Sequence, residues 1–277
     1  MRGPSVSIET ACSGQAASHT MFLDSIHGII DRRVLLNYRL DPDALDHVLP
    51  PPFHPKLYDG HGVGGVCMIR FKELRPRFVP SWLGLGSENA AHRIAVQWQQ
   101  DAEQCEGVFI PRRDTNSWFN RTLGGRVFPG IFQRSRFEAC ETASSVSLRI
   151  IREDGGTEIA FAGHLAERLP TTSIFPDLES AAGFFSLGAT GYSATHTYGH
   201  YHGMELHSLN WTVSPLAIDE ARSCFFEDRQ RFPSGTAELD SALLMRGIEH
   251  EWQSRPDLYL SPVSSSLTTR EQRSTLA

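Results

Sequence analysis

Apolar and polar residues alternate along this chain in short runs instead of recurring every three to four positions. Val34-Leu35-Leu36-Asn37-Tyr38, Gly64 to Phe71, His92 to Trp98, Gly107 to Ile110, Ser145 to Ile151 and Glu158 to His164 read as strands, separated by breaks rich in glycine, proline and aspartate. Their spacing predicts antiparallel β structure closing on itself. Helices are expected at Pro42 to Leu49, with Asp41 as cap and Pro42 in the first turn, at Pro176 to Phe185, and at Ser214 to Arg222. Met1 to Thr20 and Ser261 to Ala277 lack periodicity and are expected to be a flexible arm and tail flanking one domain over 21–260.

With 277 residues, 40% of them hydrophobic, the chain can bury a sizeable core. A formal charge of -6 gives no basic footprint, so no nucleic-acid partner is expected. No apolar run approaches the roughly 18 residues of a membrane span, and the first twenty residues lack the apolar stretch of a secretory leader. Five scattered cysteines without a CxxC pair read as reduced thiols of a cytoplasmic protein. The expected partner is a small molecule, and self-association into a homo-oligomer stays open. Of 26 lysines and arginines, only Lys56 and Lys72 are lysine. Almost no side chain here can therefore form an imine, whereas the many guanidinium forks suit carboxylates and phosphates.

The candidate chemistry gathers between Arg70 and Phe137. Glu88 and His92 are four residues apart, so they share a face whether the segment is helical or extended, and a carboxyl and an imidazole on one cavity would form a proton-transfer pair. A structural hydrogen bond that orders a turn is the alternative. Arg112, Arg113 and Asp114 follow Pro111 at a strand end, where one arginine is suited to clamp an anionic oxygen while the other pairs with Asp114. Arg126 has glycines beside it that let a ligand approach closely. Further on, His196, His200 and His202 fall on one face of an extended strand, with Tyr198 between them. Three histidines match the ligand number of a catalytic zinc, but the spacing is no zinc signature, so the cluster is expected to be a metal-free pocket wall. His200 and His202 are then candidates for proton transfer, and Tyr198 for substrate binding. No cofactor is expected: the glycine-rich stretches lack dinucleotide or P-loop context, and Gly191-Tyr192-Ser193 completes no nucleophile elbow.

Asn37-Tyr38-Arg39-Leu40-Asp41-Pro42-Asp43-Ala44-Leu45, followed by Val48-Leu49-Pro50-Pro51-Pro52-Phe53, resembles the opening motif of acetoacetate decarboxylase-like proteins. Ser87 to Arg93, Ile110 to Thr115, Gly124 to Gly130, Phe225 to Arg229 and Ser241 to Arg246 resemble, more narrowly, the DUF2071 branch of that superfamily. The resemblance implies a mainly β (α+β) fold, a curved antiparallel sheet or incomplete β-barrel with few peripheral helices and an internal pocket. It also implies that Arg39 matches the arginine of the opening motif and that Glu88 falls near an acid/base glutamate. The decarboxylases carry their imine-forming lysine after Phe-Pro, where this chain has Val127-Phe128-Pro129-Gly130. The expected function is therefore a cofactor-independent lyase, dehydratase, isomerase or cyclase acting on a carbonyl-bearing or anionic metabolite without a lysine Schiff base. In that reading Glu88, His92, His200 and His202 move protons, and Arg39, Arg112, Arg113 and Arg126 hold an anionic oxygen. The alternative is a non-catalytic protein that uses the same pocket as a container.

Overall fold

The structure, a computed structural model, describes residues 25–100, 102–117, 130–186, 188–208 and 211–260. The predicted arm and tail, and Arg126 with most of its glycine motif, lie outside the described residues. Among the described residues thirteen strands form one sheet: β1 (Ser25–Leu40), β2 (His54–Pro55), β3 (Leu57–Tyr58), β4 (His61–Pro76), β5 (Leu85–Gln100), β6 (Glu103–Thr115), β7 (Phe132–Glu141), β8 (Ser145–Arg152), β9 (Thr157–Leu165), β10 (Thr190–Ala194), β11 (His200–Ser208), β12 (Ser214–Ser223) and β13 (Ala237–Tyr259). The order runs β11-β10-β6-β7-β8-β9-β12-β13-β1-β4-β5-β2, and extra pairings of β11 with β13 and of β6 with β5 curl the sheet into a ring. Most neighbours are antiparallel; β10 and β7 run parallel to β6. This is the mainly β, curved-sheet fold that the sequence predicts.

The central strands are buried on both faces. Along β1, Val34 and Leu36 enter one apolar core while Leu35 enters the other; along β4, Val66 and Met68 join the first while Cys67 and Ile69 join the second. Such strands read as nearly continuous hydrophobic runs, which is why they are legible in the sequence.

α1 (Pro42–Val48) starts where expected, because the Asp41 carboxylate accepts a 3.0 Å bond from the Ala44 N–H and Pro42 occupies the first turn. α2 (Leu178–Ser186) matches the second predicted helix, and α3 (Cys224–Glu227) is a single turn. The third predicted helix is corrected. Ser214–Ser223 is strand β12, paired through Leu216 with both Ala242 of β13 and Leu165 of β9. Its Ala, Glu and Arg residues favour helix, but ladder pairing on both sides outweighs propensity. Among the described residues, no helix is long and apolar enough to cross a membrane.

Candidate active site: an arginine-lined cavity

Alternation sends residues 88, 90, 92 and 94 of β5 to one face of the sheet and 89, 91, 93 and 95 to the other. The second row borders a cavity of about 80 Å³, where Asn89, Ala91 and Arg93 face Arg33 and Cys67. Ile69, Val108, Ile110, Phe132 and Met204 supply apolar wall. Arg113 completes it because of a bulge. Val108 and Ile110 already face the cavity, so a regular strand would send Arg112 there next. The register between β5 and β6 instead slips, pairing His92 with Arg112 but Ile94 with Phe109, and the extra β6 residue turns Arg113 inward.

Three guanidinium groups thus meet in one hollow, and among the described residues no carboxylate pairs with any of them. Arg93 donates to Asn37 Oδ1 at 2.6 Å and stacks over Phe185. Arg113 donates from Nε and Nη2 to Ser193 Oγ at 3.1 and 3.0 Å. Arg33 Nε contacts Cys67 Sγ at 3.2 Å. Arg93 Nε and Arg33 Nη1 are buried without a hydrogen-bond partner. Burial pulls Arg93 down to about 10, opposed by Cys67 and reinforced by Arg33, and burial pulls Arg113 down to about 10, opposed by Cys67. Cations that are desolvated and unpaired in this way are set to accept an anion. Two further hollows, of about 40 and 240 Å³, share Arg33 and Gly188 with the cavity and bring Lys56 and His207 to its approaches.

Glu88 and His92 share the other face, as their spacing requires, but among the described residues they border no common cavity. Glu88 bridges Arg32 Nη2 at 2.5 Å and Arg70 Nε at 2.7 Å, and Glu141 ties the same two arginines to Arg246. Arg32 is fully buried, so this network is a structural clamp across β1, β4, β5, β7 and β13. Burial pushes Glu141 up, but Arg246, Arg32 and Arg70 outweigh it and hold the carboxyl below its usual value. Replacing Glu88 by glutamine leaves Arg32 short of a counter-charge and is expected to cost about 2–4 kcal/mol of unfolding free energy, measured by urea denaturation. An unchanged midpoint would show that the clamp is not stabilising.

His92 is completely buried, 3.2 Å from Ser223 Oγ and 4.9 Å from the Phe225 ring. Burial, with Arg112 and Arg231 nearby, lowers it to about 3, so it stays neutral although Glu158 Oε1 is 3.9 Å away. Arg112 forks onto Asp114 at 2.9 and 3.0 Å and also reaches Glu158. It borders a hollow of about 430 Å³ with Arg152, Arg231 and Glu158, in which each arginine has a carboxylate partner. That charge balance distinguishes this hollow from the first.

The remaining candidates lie apart from the cavity. Arg39 binds Glu238 and the Thr172 carbonyl at the surface, and Tyr198 is 82% exposed in a turn. His196 lies in the same exposed bend, outside β11. His200 and His202 sit on β11, both against Asp257 Oδ2 of β13 at 2.8 and 3.0 Å. Gly130 has φ +99°, and a Cβ there would lie 2.6 Å from Ser193 Cβ. A side chain is therefore strained at the place where the decarboxylases carry lysine. Sequence reasoning missed Arg33, Asn89, Arg93 and Cys67. The available signal was the period-two row Asn89, Ala91, Arg93, lying opposite the row that Glu88 and His92 define.

No curated protein matches the sequence. In fold, the chain is similar to acetoacetate decarboxylase from Legionella pneumophila, at 11% identity over 91% of this chain and 93% of that one, with a TM-score of 0.55. An acetoacetate decarboxylase-like enzyme from Sphingomonas wittichii RW1 gives 11%, 91%, 99% and 0.54 in the same order. The enduracididine biosynthesis enzyme MppR, complexed with the condensation product of pyruvate and imidazole 4-carboxaldehyde, gives 10%, 94%, 98% and 0.54. The profile of an uncharacterised conserved protein family, DUF2071, matches residues 30–242 and spans nearly all the strands that build the ring and the cavity. The chain therefore belongs to the DUF2071 family and has an acetoacetate decarboxylase-like fold.

Proposed function

We propose that the protein is an enzyme whose arginine cavity holds a small carboxylate-bearing oxo or hydroxy acid, and that it works as a lyase, dehydratase, isomerase or cyclase without a lysine imine. The observation that carries this is the convergence of Arg33, Arg93 and Arg113 without a carboxylate among the described residues. A substrate carboxylate is the natural counter-charge, and a second guanidinium is then free to stabilise an enolate or alkoxide oxygen as it forms. MppR, with the same fold, has been seen with pyruvate, a compound of that class.

Lysine chemistry has poor support. Lys72 pairs with Asp31 at the surface, and Lys56, although at the edge of an adjoining hollow, is held by Glu106 at 2.5 Å. An ion-paired ammonium is no nucleophile. Lys56→Arg is expected to leave turnover unchanged, and borohydride added with pyruvate is expected to trap no adduct by mass spectrometry. A trapped adduct on Lys56 together with lost turnover would overturn the imine-free mechanism.

One observation favours the container reading. Among the described lining residues of the arginine cavity, Cys67 is the sole thiol, carboxylate or imidazole. The test is a panel of small oxo and hydroxy acids followed by product analysis. Chemical change of a bound acid supports the enzyme; saturable binding with no change across the panel supports the container; no binding at all removes the site.

A further inference from the structure

We propose that His200, His202 and Asp257 form a binding site for a divalent transition ion of the zinc class, where β11 pairs with β13. The proposal stands on its own geometry and does not depend on the reaction assigned to the cavity. One potential ligand atom from each of the three residues lies within 4.8 Å of the other two. His200 offers Nε2 and His202 offers Nδ1, so the rings present different nitrogens to one point, the Asp257 Oδ2 atom.

The two nitrogen-to-Oδ2 spacings are close to what coordination needs. Tetrahedral zinc with bonds of about 2.0–2.1 Å puts neighbouring donor atoms about 3.3 Å apart. The observed 2.8 and 3.0 Å have only to open by a few tenths of an ångström as an ion enters and the N–H protons facing Asp257 move to the other ring nitrogens or to solvent. The rings are already held: His200 stacks on Tyr259 at 4.4 Å and 9°, and the two imidazoles meet edge to face at 4.7 Å. Asp257 Oδ1 is turned towards the Gly203 N–H, 3.4 Å away, and no arginine or lysine among the described residues pairs with Asp257 to compete with a cation. All three side chains are a quarter or so exposed, so an ion can enter from solvent. Two imidazoles and one carboxylate select zinc, nickel, copper or iron(II) over calcium or magnesium.

The position gives such an ion a use. His202 pairs across the ladder with Ser193, whose hydroxyl receives both Arg113 bonds, and Met204, next in the same row of β11, lines the cavity. Three protein ligands leave a coordination position open, as in catalytic rather than structural zinc sites. An ion here adds an oxygen-binding position one strand away from the Ser193 that Arg113 holds.

The test uses the full chain without a histidine tag, stripped with a chelator and titrated with Zn²⁺ or Co²⁺ alone. Calorimetry is expected to show one saturable ion per chain, and Co²⁺ to give a visible d–d band. His202→Gln and Asp257→Asn are each expected to weaken binding by more than about 100-fold, beyond the 10–100-fold of a lost outer partner, with circular dichroism unchanged. If a variant misfolds, histidine NMR of the wild type decides: Zn²⁺ should shift His200 and His202 first. Absent saturable binding, equal affinity in folded variants, or shifts confined to other histidines would each overturn the site, leaving the triad as a hydrogen-bonded staple between β11 and β13.

Discussion

Replacing Arg93 by methionine is expected to weaken binding of pyruvate-class acids by about 10- to 150-fold, the loss of one charge-assisted hydrogen-bond pair worth about 1.5–3 kcal/mol. The same change should leave the ligand-free protein at least as stable as before. These two results belong together because Arg93 is buried, drawn down to about 10, and lacks a carboxylate partner among the described residues. An arginine in a buried ion pair behaves oppositely, since its removal strands a carboxylate at a cost of about 3–5 kcal/mol. Here the stranded atom is only Asn37 Oδ1, whose amide keeps its bond to Ser241. Against that stands the cost of holding the cation in the fold: a shift from 12.5 to about 10 corresponds to about 3 kcal/mol. The sign follows from a folded value below the unfolded one. The cost is fully present below pH 10 and fades as pH rises from about 10 towards 12.5, so an anionic ligand removes at neutral pH what deprotonation removes in base. Thermal unfolding with and without pyruvate checks both halves. A variant that loses several kcal/mol without ligand, or binds the acids as well as wild type does, defeats the cavity assignment.

Much of the frame is legible in the sequence because doubly buried strands leave unbroken apolar runs, as at Val34 to Tyr38 and Gly64 to Phe71. β13 is not legible: Ala237–Tyr259 carries charged residues and a glycine kink at Gly247, and its extended form comes from pairing with β1, β11 and β12. The site divides in the same way. The scarcity of lysine and the glycine after Phe128-Pro129 can be read directly. Which of two adjacent arginines faces the cavity cannot. Arg32 and Arg33 point to opposite faces of a sheet with two buried faces, and each face has its own demand, one for the partner of Glu88 and one for an anion. At Arg112 and Arg113 the bulge in β6 reverses the choice that regular alternation would make. Asp257, too, joins the His-x-His pair from 55 residues away, through strand pairing that no local spacing announces.

Acidification from pH 7 to pH 5 is expected to cost the wild-type fold about 4 kcal/mol, roughly half of it through His92 and half through His250, on the linkage of each shift to stability. Burial holds His92 at about 3, helped by Arg112 and Arg231, and burial, with Arg33 and His27 nearby, holds His250 at about 4. Both start from 6.5, so in each case the folded value lies below the unfolded one. The unfolded chain takes up protons that the fold refuses. Stability from neutral burial is therefore whole above pH 6.5 and drains as pH falls towards 4 and then 3. The carboxylates add little in this window, since Asp31 and Glu141 are held below ordinary values near 4 and their contributions fall away at lower pH. Glu158 acts with the opposite sign: burial, only partly countered by Arg112 and Arg152, raises it, so protonating Glu158 below its raised value favours the fold and offsets part of the loss. Urea titrations at the two pH values should show the full loss in wild type and about half in His92→Gln or His250→Gln. A wild-type midpoint that stays level from pH 7 to 5 would mean that both imidazoles find a proton-accepting partner in the fold, and half the loss that one does. For His92 the carboxylate within reach among the described residues is Glu158, 3.9 Å away. In that case the pair, and with it the charge-balanced hollow beside Arg112, would regain the proton-transfer role that a neutral, sealed imidazole cannot fill.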